Sequence, residues 1–201
     1  MKDDIALITE EEIVRAMLRV IGENPNREGL KDTPKRVVRM WKELFYGYDK
    51  TKLPNVTVFN NGSDGIVYNE MITDTGEFYS NCEHHMIPFH GKYYFGYIPN
   101  KRGKLLGLSK VARVVDYFSA KLQIQERLVY EIIEHLYDSL DVDKHKPVGM
   151  ALVIEAEHLC KSMRGVKKKG KMRTTHLIGA FKEDVATREE FMGWVNSNGK
   201  T

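Results

Sequence analysis

The run Lys92-Tyr93-Tyr94-Phe95-Gly96-Tyr97-Ile98 is followed directly by Pro99-Asn100. Aromatic residues at this density favour a β-strand, and the Pro-Asn pair favours a turn that ends it. Residues from about 56 to 99 share this character, so we predict a block of strands there. Two further strands are predicted later in the chain, over residues 148–157 and 172–181.

Helical patterns lie on both sides of this block. Thr9 and Glu12 form a capping box that opens a first helix, and Thr33-Pro34 opens a second. The first helix carries one apolar stripe, which consists of Ile13, Ala16, Met17, Val20 and Ile21. After the block, we predict a helix capped by Ser109, a longer helix with apolar residues from Ile124 to Leu140, and a short final helix capped by Thr187 with Glu190.

This order of elements predicts an α+β fold. Helices, a strand block, two consecutive helices, two strands and a last helix fit an antiparallel sheet with helices on one face better than alternating βαβ units. The chain of 201 residues is long enough for one sizeable core with a small appendage. We therefore predict an N-terminal helical segment over residues 1–50 and a catalytic domain over residues 51–201.

Composition narrows the protein class. The chain is 42% hydrophobic and 29% charged, and no apolar run is long enough to span a bilayer. The net charge of +3 does not by itself indicate a nucleic-acid partner. Two cysteines without an apolar signal core at the start indicate a reducing compartment. We expect a cytoplasmic protein with neither a membrane nor a nucleic-acid partner.

Two short runs, Cys82-Glu83-His84-His85 and His158-Leu159-Cys160, hold both cysteines and three of the seven histidines. A C-x-x-H spacing allows one tight turn to bring a sulfur and a ring nitrogen to the same ion, and zinc favours these donors. Cys160 would be a third ligand, which leaves the fourth position open for water as in a catalytic site. The spacing allows either His84 or His85 as the imidazole ligand. One disulfide or two inert thiols are the alternatives.

His158 and Cys160 are two positions apart in a predicted strand, so both side chains are expected on one face. Cys160 could then bind the ion while His158 moves protons beside it. At the other run, the histidine that does not bind the metal could act as a second proton carrier. The alternative for His158 is a hydrogen-bonded core histidine.

Gly107-Leu108-Ser109-Lys110 is a second candidate site. The start of a helix offers free backbone N–H groups and the positive end of its dipole, and both favour phosphate. Lys110 and Arg113 add positive charge there. A capped helix without any ligand is the alternative.

Two further features carry charge. Glu126, in Gln125-Glu126-Arg127, is either a solvated helix acid or an acceptor for a guanidine-like edge. A basic run follows Cys160 and suits either a solvated loop or an anionic substrate. It consists of Lys161, Arg164, Lys167, Lys168, Lys169, Lys171 and Arg173.

Together these motifs resemble the GTP cyclohydrolase I family. The matching runs, in order, are Asp32-Thr33-Pro34-Lys35-Arg36, Cys82-Glu83-His84-His85, Gly107-Leu108-Ser109-Lys110, Gln125-Glu126-Arg127, His158-Leu159-Cys160 and Met163-Arg164-Gly165. The resemblance implies a tunnelling fold, with an antiparallel four-stranded sheet and two helices on one face. It also implies pentameric barrels that stack into a homodecamer, with active sites between subunits. The implied reaction opens GTP at carbon 8, releases formate and yields 7,8-dihydroneopterin triphosphate, the first step of pterin and folate synthesis.

The resemblance also assigns roles to residues. It implies that Zn²⁺ is held by Cys82, His85 and Cys160, that His84 and His158 move protons, and that Glu126 with Gln125 anchors the guanine. The triphosphate would be held by Ser109, Lys110, Arg113 and Arg164, with Arg36 reaching from a neighbouring subunit.

The chain departs from the family pattern at residues 167–173, where lysines replace a stretch rich in serine and threonine. This departure affects the triphosphate contacts and not the zinc site. Two alternatives stand beside the resemblance. One is another tunnelling-fold enzyme, such as the nitrile reductase of queuosine synthesis, which uses a cysteine nucleophile and no zinc. The other is a non-catalytic zinc module that binds nucleic acid through the basic run.

Overall fold

Two units make up the chain in the computed structural model, which describes residues 8–140 and 145–199. The first unit ends at Tyr46 and the second begins at Gly47. The assignment of residues 1–50 to a helical segment and of residues 51–201 to a catalytic domain stays a prediction.

The first unit contains α1 (Glu10–Val20) and α2 (Thr33–Leu44), which pack against each other. The predicted capping box is confirmed. The Thr9 hydroxyl accepts from the Glu12 N–H at 3.2 Å, and the Glu12 carboxylate accepts from the Thr9 N–H at 2.7 Å. Thr33 was expected to cap α2, but it is the first residue of that helix, and Asp32 before it makes no side-chain capping bond.

The apolar stripe of α1 remains largely uncovered. Val14 is buried, as is Val38 of α2. By contrast, Met17, Val20 and Ile21 are 53%, 87% and 74% exposed. The stripe therefore offers apolar surface that the described residues of the first unit do not cover.

The second unit holds seven strands and five α-helices among its described residues. In chain order they are β1 (Val58–Asn60), β2 (Ile72–Cys82), β3 (Pro88–Ile98), β4 (Lys104–Leu106), α3 (Ser109–Ser119), β5 (Leu122–Gln123), α4 (Gln125–Ser139), β6 (Gly149–His158), α5 (Leu159–Ser162), β7 (Lys171–Gly179), α6 (Ala180–Glu183) and α7 (Val185–Asn198).

The main sheet has the strand order β5-β2-β3-β6-β7. Its four long strands, β2, β3, β6 and β7, pair antiparallel with one another. The two-residue β5 adds to the edge of β2 in parallel, and β1 and β4 form a separate antiparallel pair. The predicted α+β class is confirmed, and β5 and the small pair were not predicted.

Both faces of the sheet are covered by helices, at variance with the expectation of helices on one face. Along β6, successive side chains point to opposite faces. Leu152 and Ile154 join a core shared with α3 and α4, whereas Ala151 and Val153 join a second cluster with Phe181, Phe191 and Val195. An apolar run on both faces explains why β6 is buried from Gly149 to Ile154.

The last helix also begins earlier than expected. α7 starts at Val185, and the Asp184 carboxylate accepts from both the Thr187 N–H, at 2.9 Å, and the Thr187 hydroxyl. Asp184, and not Thr187, is therefore the cap. None of the helices within the described ranges has the length and apolar character needed to cross a bilayer.

Gly91 of β3 is predicted to tolerate no side chain. It lies opposite Ala156 of β6, and a Cβ at Gly91 would sit 1.9 Å from the Glu155 carbonyl oxygen. Gly91→Ala should reduce the free energy of unfolding by about 3 kcal/mol or more, because the strands must separate. Gly193→Ala in α7 is the control, since nothing lies within 4 Å of its Cβ position. That variant should gain up to about 1 kcal/mol. Equal urea midpoints for the two variants would contradict this packing.

His135 of α4 is predicted to weaken the fold in acid. Burial lowers the pKa of His135 from its ordinary value of 6.5, and its Nε2 has no hydrogen-bond partner. The unfolded chain therefore binds a proton more tightly than the folded chain, and stability falls as the pH drops below 6.5. His135→Leu should lose less stability than the wild type between about pH 8 and about pH 5.5 in urea titrations. Equal losses would show that His135 does not contribute.

Candidate metal centre and active site

A tight turn between β2 and β3 positions the first pair of candidate ligands. The Cys82 N–H donates to the Ile87 carbonyl at 2.9 Å, and the Met86 N–H donates to the Cys82 carbonyl at 2.8 Å. Met86 has a φ of 54°, in the left-handed region that allows the chain to reverse. The turn thus brings the side chains of Cys82 and His85 close together.

Cys160 reaches the same place from a different element than expected. β6 ends at His158, and residues 159–162 form the short helix α5, so Cys160 is not a strand residue. The Met163 N–H donates to the Leu159 carbonyl at 3.0 Å and holds this turn. The same-face argument for His158 and Cys160 was therefore wrong, because the strand ends between them.

The two thiols and one imidazole converge. Donor atoms of Cys82, His85 and Cys160 all lie within 4.8 Å of one another. The two Sγ atoms are 4.0 Å apart and form no disulfide. His84 is exposed and lies outside this group, with its Nδ1 3.6 Å from the Cys82 Sγ. Two thiolates and an imidazole are the donors that zinc prefers, so this set fits a zinc ion with one position left for water.

The charges around Cys160 also favour a cation. Burial raises the pKa of the Cys160 thiol, and the neighbouring Cys82 raises it further because two thiolates repel each other. A cation bound between the sulfurs removes this conflict. Arg164 opposes the shift and also donates from Nη1 to His85 Nε2 at 2.8 Å. An arginine can only donate, so this ring nitrogen is the acceptor.

His158 lies beside the cluster in a closely defined position. Its ring stacks on Phe89 with centroids 4.5 Å apart and planes 4° from parallel. Its Nε2 lies 2.8 Å from the Gln125 Oε1. Burial lowers the pKa of His158, the nearby Glu126 carboxylate opposes this shift, and Lys161 adds to it.

Arg127 connects the turn to the start of α4. Its Nη2 donates to the Glu83 carboxylate at 2.5 Å and to the Leu122 carbonyl at 3.0 Å, while its Nε donates to Gln123 at 2.9 Å. These bonds tie the residue after Cys82 to the strand and helix beside it. A cavity of about 660 Å³ opens next to this network, with Glu83 and Arg127 in its wall.

Three of the predicted phosphate ligands lie on one further element of the second unit. Ser109, Lys110 and Arg113 lie at the start of α3, but Ser109 is the first helical residue and not its cap. Leu108 precedes it in a helical conformation and makes no side-chain capping bond. The Lys110 N–H donates to the Gly107 carbonyl at 2.9 Å and the Val111 N–H donates to the Leu108 carbonyl at 3.2 Å, so these two backbone groups are already paired within the chain.

Two other predicted cationic groups belong to elements that carry none of the three donors. Arg36 lies in α2 of the first unit. In the basic run, Arg173 belongs to β7 and pairs with the Glu155 carboxylate across the ladder, with Nε 2.7 Å from Oε1. Arg173 therefore helps to hold the sheet together.

The family model of GTP cyclohydrolase I matches residues 10–196. This chain belongs to the GTP cyclohydrolase I family. It is 46% identical over 192 residues to "GTP cyclohydrolase 1" of Sulfurihydrogenibium sp. (strain YO3AOP1), covering 94% of this chain and 95% of that one. It is 46% identical over 186 residues to the protein of the same name from Sinorhizobium fredii, covering 90% of this chain and 85% of that one. The resemblance seen in the sequence is confirmed.

A third relative, "GTP cyclohydrolase 1" of Leptospira biflexa, is 42% identical over 190 residues, covering 93% of this chain and 98% of its own. Among solved structures, the archaeosine synthase QueF-Like in the apo form matches with a TM-score of 0.40 at 14% identity. That match covers 54% of this chain and 93% of the other, and a likeness this weak carries no argument.

Within this member of the GTP cyclohydrolase I family, some neighbours of the cluster were not predicted from the sequence. Phe89, which carries the His158 ring, is one strand residue among many aromatics. The bond between Glu83 and Arg127 joins residues 44 positions apart. Glu83 and Arg127 each lie inside a motif quoted above. Their place beside Cys82 and Glu126 was the available signal.

Proposed function

We propose that this protein is a GTP cyclohydrolase I, which opens the guanine ring of GTP at carbon 8 and releases formate. The product is 7,8-dihydroneopterin triphosphate, and the reaction is the first step of pterin and folate synthesis. The convergence of Cys82, His85 and Cys160 in a chain of this family carries the proposal.

Cys82, His85 and Cys160 are proposed to hold a zinc ion. When bound, zinc supplies a Lewis acid that lowers the pKa of a coordinated water to about 7. The protein contributes the geometry, because the turn after β2 and the short helix α5 hold the three donors within 4.8 Å of one another. Arg127 supports the turn through Glu83, as outer groups commonly support metal ligands.

His84 and His158 are proposed to move protons as the imidazole ring of the base opens. His84 lies at the exposed edge of the cluster, next to the Cys82 sulfur. His158 is half-buried against Phe89. A buried, neutral imidazole can accept a proton, whereas an exposed one can exchange it with water. The two histidines thus suit different proton transfers.

Glu126 is proposed to anchor and polarise the guanine. It is exposed in the first turn of α4 and close enough to His158 to affect that residue's pKa. A carboxylate accepts two N–H bonds from a guanidine-like edge, which would place the base beside His158. Gln125, which the resemblance places in the same subsite, precedes it, but its buried side chain contacts His158.

The triphosphate is proposed to bind at the start of α3. Ser109, Lys110, Arg113 and Arg164 would contact it, with Arg36 supplied by a neighbouring subunit. Lys110 and Arg113, two cationic side chains within one turn of α3, support this placement. Arg164 would exchange its hydrogen bond to the His85 ring for one to the phosphate. The exchange is possible because the ring nitrogen and the phosphate oxygens are both acceptors.

We propose the tunnelling fold and a homodecamer of two stacked pentamers, in the cytoplasm. The exposed apolar stripe of α1 supports an assembly that would cover it. The sheet also ends at β7, which pairs only with β6 among the described strands. Closing such an edge against another subunit would protect its unpaired backbone groups.

The proposal is tested by incubating the purified, zinc-loaded protein with GTP and assaying formate and dihydroneopterin triphosphate. Both products should form, and both should disappear when the metal is chelated and return when zinc is restored. Binding of nucleic acid without any turnover of GTP would instead favour a non-catalytic zinc module.

Removing one sulfur should remove the metal and the activity together. Cys160→Ala is expected to lower bound zinc to a small fraction of one per chain and turnover by at least about 100-fold, because two protein ligands hold zinc poorly. Zinc content by mass spectrometry and turnover with GTP measure both effects. Ser162→Ala, a substitution in the same short helix, is the control and should retain both the zinc and the turnover. Full zinc and turnover in Cys160→Ala would remove this residue from the site.

Removing the carboxylate of Glu126 should affect the substrate and not the metal. Glu126→Ala is expected to weaken GTP binding by roughly 2–3 kcal/mol, or about 30–150-fold, and to leave the zinc content unchanged. Glu131→Ala, which removes another acid of α4, is the control. An unchanged Michaelis constant and unchanged turnover in Glu126→Ala would exclude the role as guanine anchor.

A further inference from the structure

The geometry points to Gln125 as a positioning residue that holds the His158 ring by its Nε2 and leaves Nδ1 as the nitrogen with the free lone pair. This inference deepens the proposed function, on which it rests for the role of His158. It also assigns the Gln125 side chain to His158 and not to the guanine.

The orientation of the Gln125 amide is fixed by what surrounds its nitrogen. Nε2 lies 2.9 Å from the Ile154 carbonyl oxygen and 3.1 Å from the Met172 carbonyl oxygen. It also lies 3.0 Å from the Thr174 hydroxyl. Main-chain carbonyls can only accept hydrogen bonds, so the end of the amide that faces them must be the NH₂ group. The reversed amide would place an acceptor against two acceptors and leave buried groups without partners.

This orientation decides the proton position on His158. With the NH₂ group held by β6 and β7, Oε1 faces the His158 Nε2 at 2.8 Å. Oε1 is an acceptor only, so Nε2 must carry the hydrogen in this bond. In the neutral ring, one nitrogen donates and the other accepts, and Nδ1 is therefore the acceptor.

Two contacts together define the ring position. Phe89, which lies opposite His158 in the ladder between β3 and β6, stacks on the imidazole and fixes its plane. A stacked ring could still flip by roughly 180° about its Cβ–Cγ bond and keep that plane. The bond from Gln125 removes this freedom, because only one nitrogen lies 2.8 Å from Oε1.

The same observations leave the Gln125 side chain few hydrogen-bonding groups with which to bind the substrate. Gln125 is 1% exposed, and both N–H groups of its amide point to acceptors of the protein. Glu126, the next residue, is exposed. The motif thus separates two tasks, with the buried amide directed to His158 and the exposed carboxylate available to the base.

Gln125→Met tests this assignment, because methionine has similar length and offers no comparable acceptor. Turnover of the zinc-loaded enzyme should fall about tenfold or more, while the KM for GTP stays within about twofold. Thr174→Val is the matched control, since it removes one partner of the Gln125 nitrogen and leaves the contact with His158. A raised KM with unchanged kcat in Gln125→Met would make Gln125 a guanine ligand and overturn the assignment.

A second measurement reads the proton position directly and needs no activity. Magic-angle-spinning NMR of the holoenzyme labelled with ¹⁵N-histidine, compared with His158→Asn, identifies the two ring nitrogens of His158. The wild type and Thr174→Val should show a protonated Nε2 and an unprotonated Nδ1, and Gln125→Met should show a mixture. A protonated Nδ1 with an unprotonated Nε2 in the wild type would overturn the assignment. This result stands even if Gln125→Met fails to fold or GTP is not turned over.

Discussion

The antiparallel register of β3 with its two neighbours is the constraint on which the candidate site depends. β3 pairs with β2 on one side and with β6 on the other, and this places Phe89 opposite His158. The turn that joins β2 to β3 begins directly after Cys82. The end of β6 and the hairpin turn therefore meet at one end of the sheet. A shift of one residue in the ladder between β3 and β6 would move His158 to the opposite face and separate Cys160 from Cys82.

Polar groups at the start of α4 make this arrangement specific. Gln125 satisfies carbonyl oxygens of two strands and the His158 ring, and Arg127 satisfies Glu83 and a carbonyl of β5. Both residues lie in the first turn of α4, so the start of one helix organises both sides of the cluster. Leaving the buried Gln125 amide without partners would cost about 1–3 kcal/mol, which favours this packing over alternatives of similar apolar burial. The side chain that positions His158 is therefore also bonded to two strands of the sheet.

The sequence predicted the elements better than their ends. The capping box at Thr9 was correct because its bonds are local, and the aromatic run gave the central strand. Ser109 and Thr187 were wrong as caps, because neighbouring Leu108 and Asp184 already take the preceding positions. Cap preferences show which residue types can cap a helix. They do not show which of several nearby candidates the tertiary structure selects. The second covered face of the sheet depends on α6 and α7, whose packing follows from contacts distant in sequence.

In the site, the metal donors could be predicted because cysteine and histidine at short spacing have few other uses. Their local geometry could not, since Cys160 arrives on a helical turn and the supporting contacts join distant segments. X-ray absorption at the zinc edge of the wild-type protein tests the central claim most directly. The account predicts two sulfur ligands at about 2.3 Å and two nitrogen or oxygen ligands at about 2.0 Å. A shell without sulfur, or with only one, would show that Cys82 and Cys160 do not share a metal.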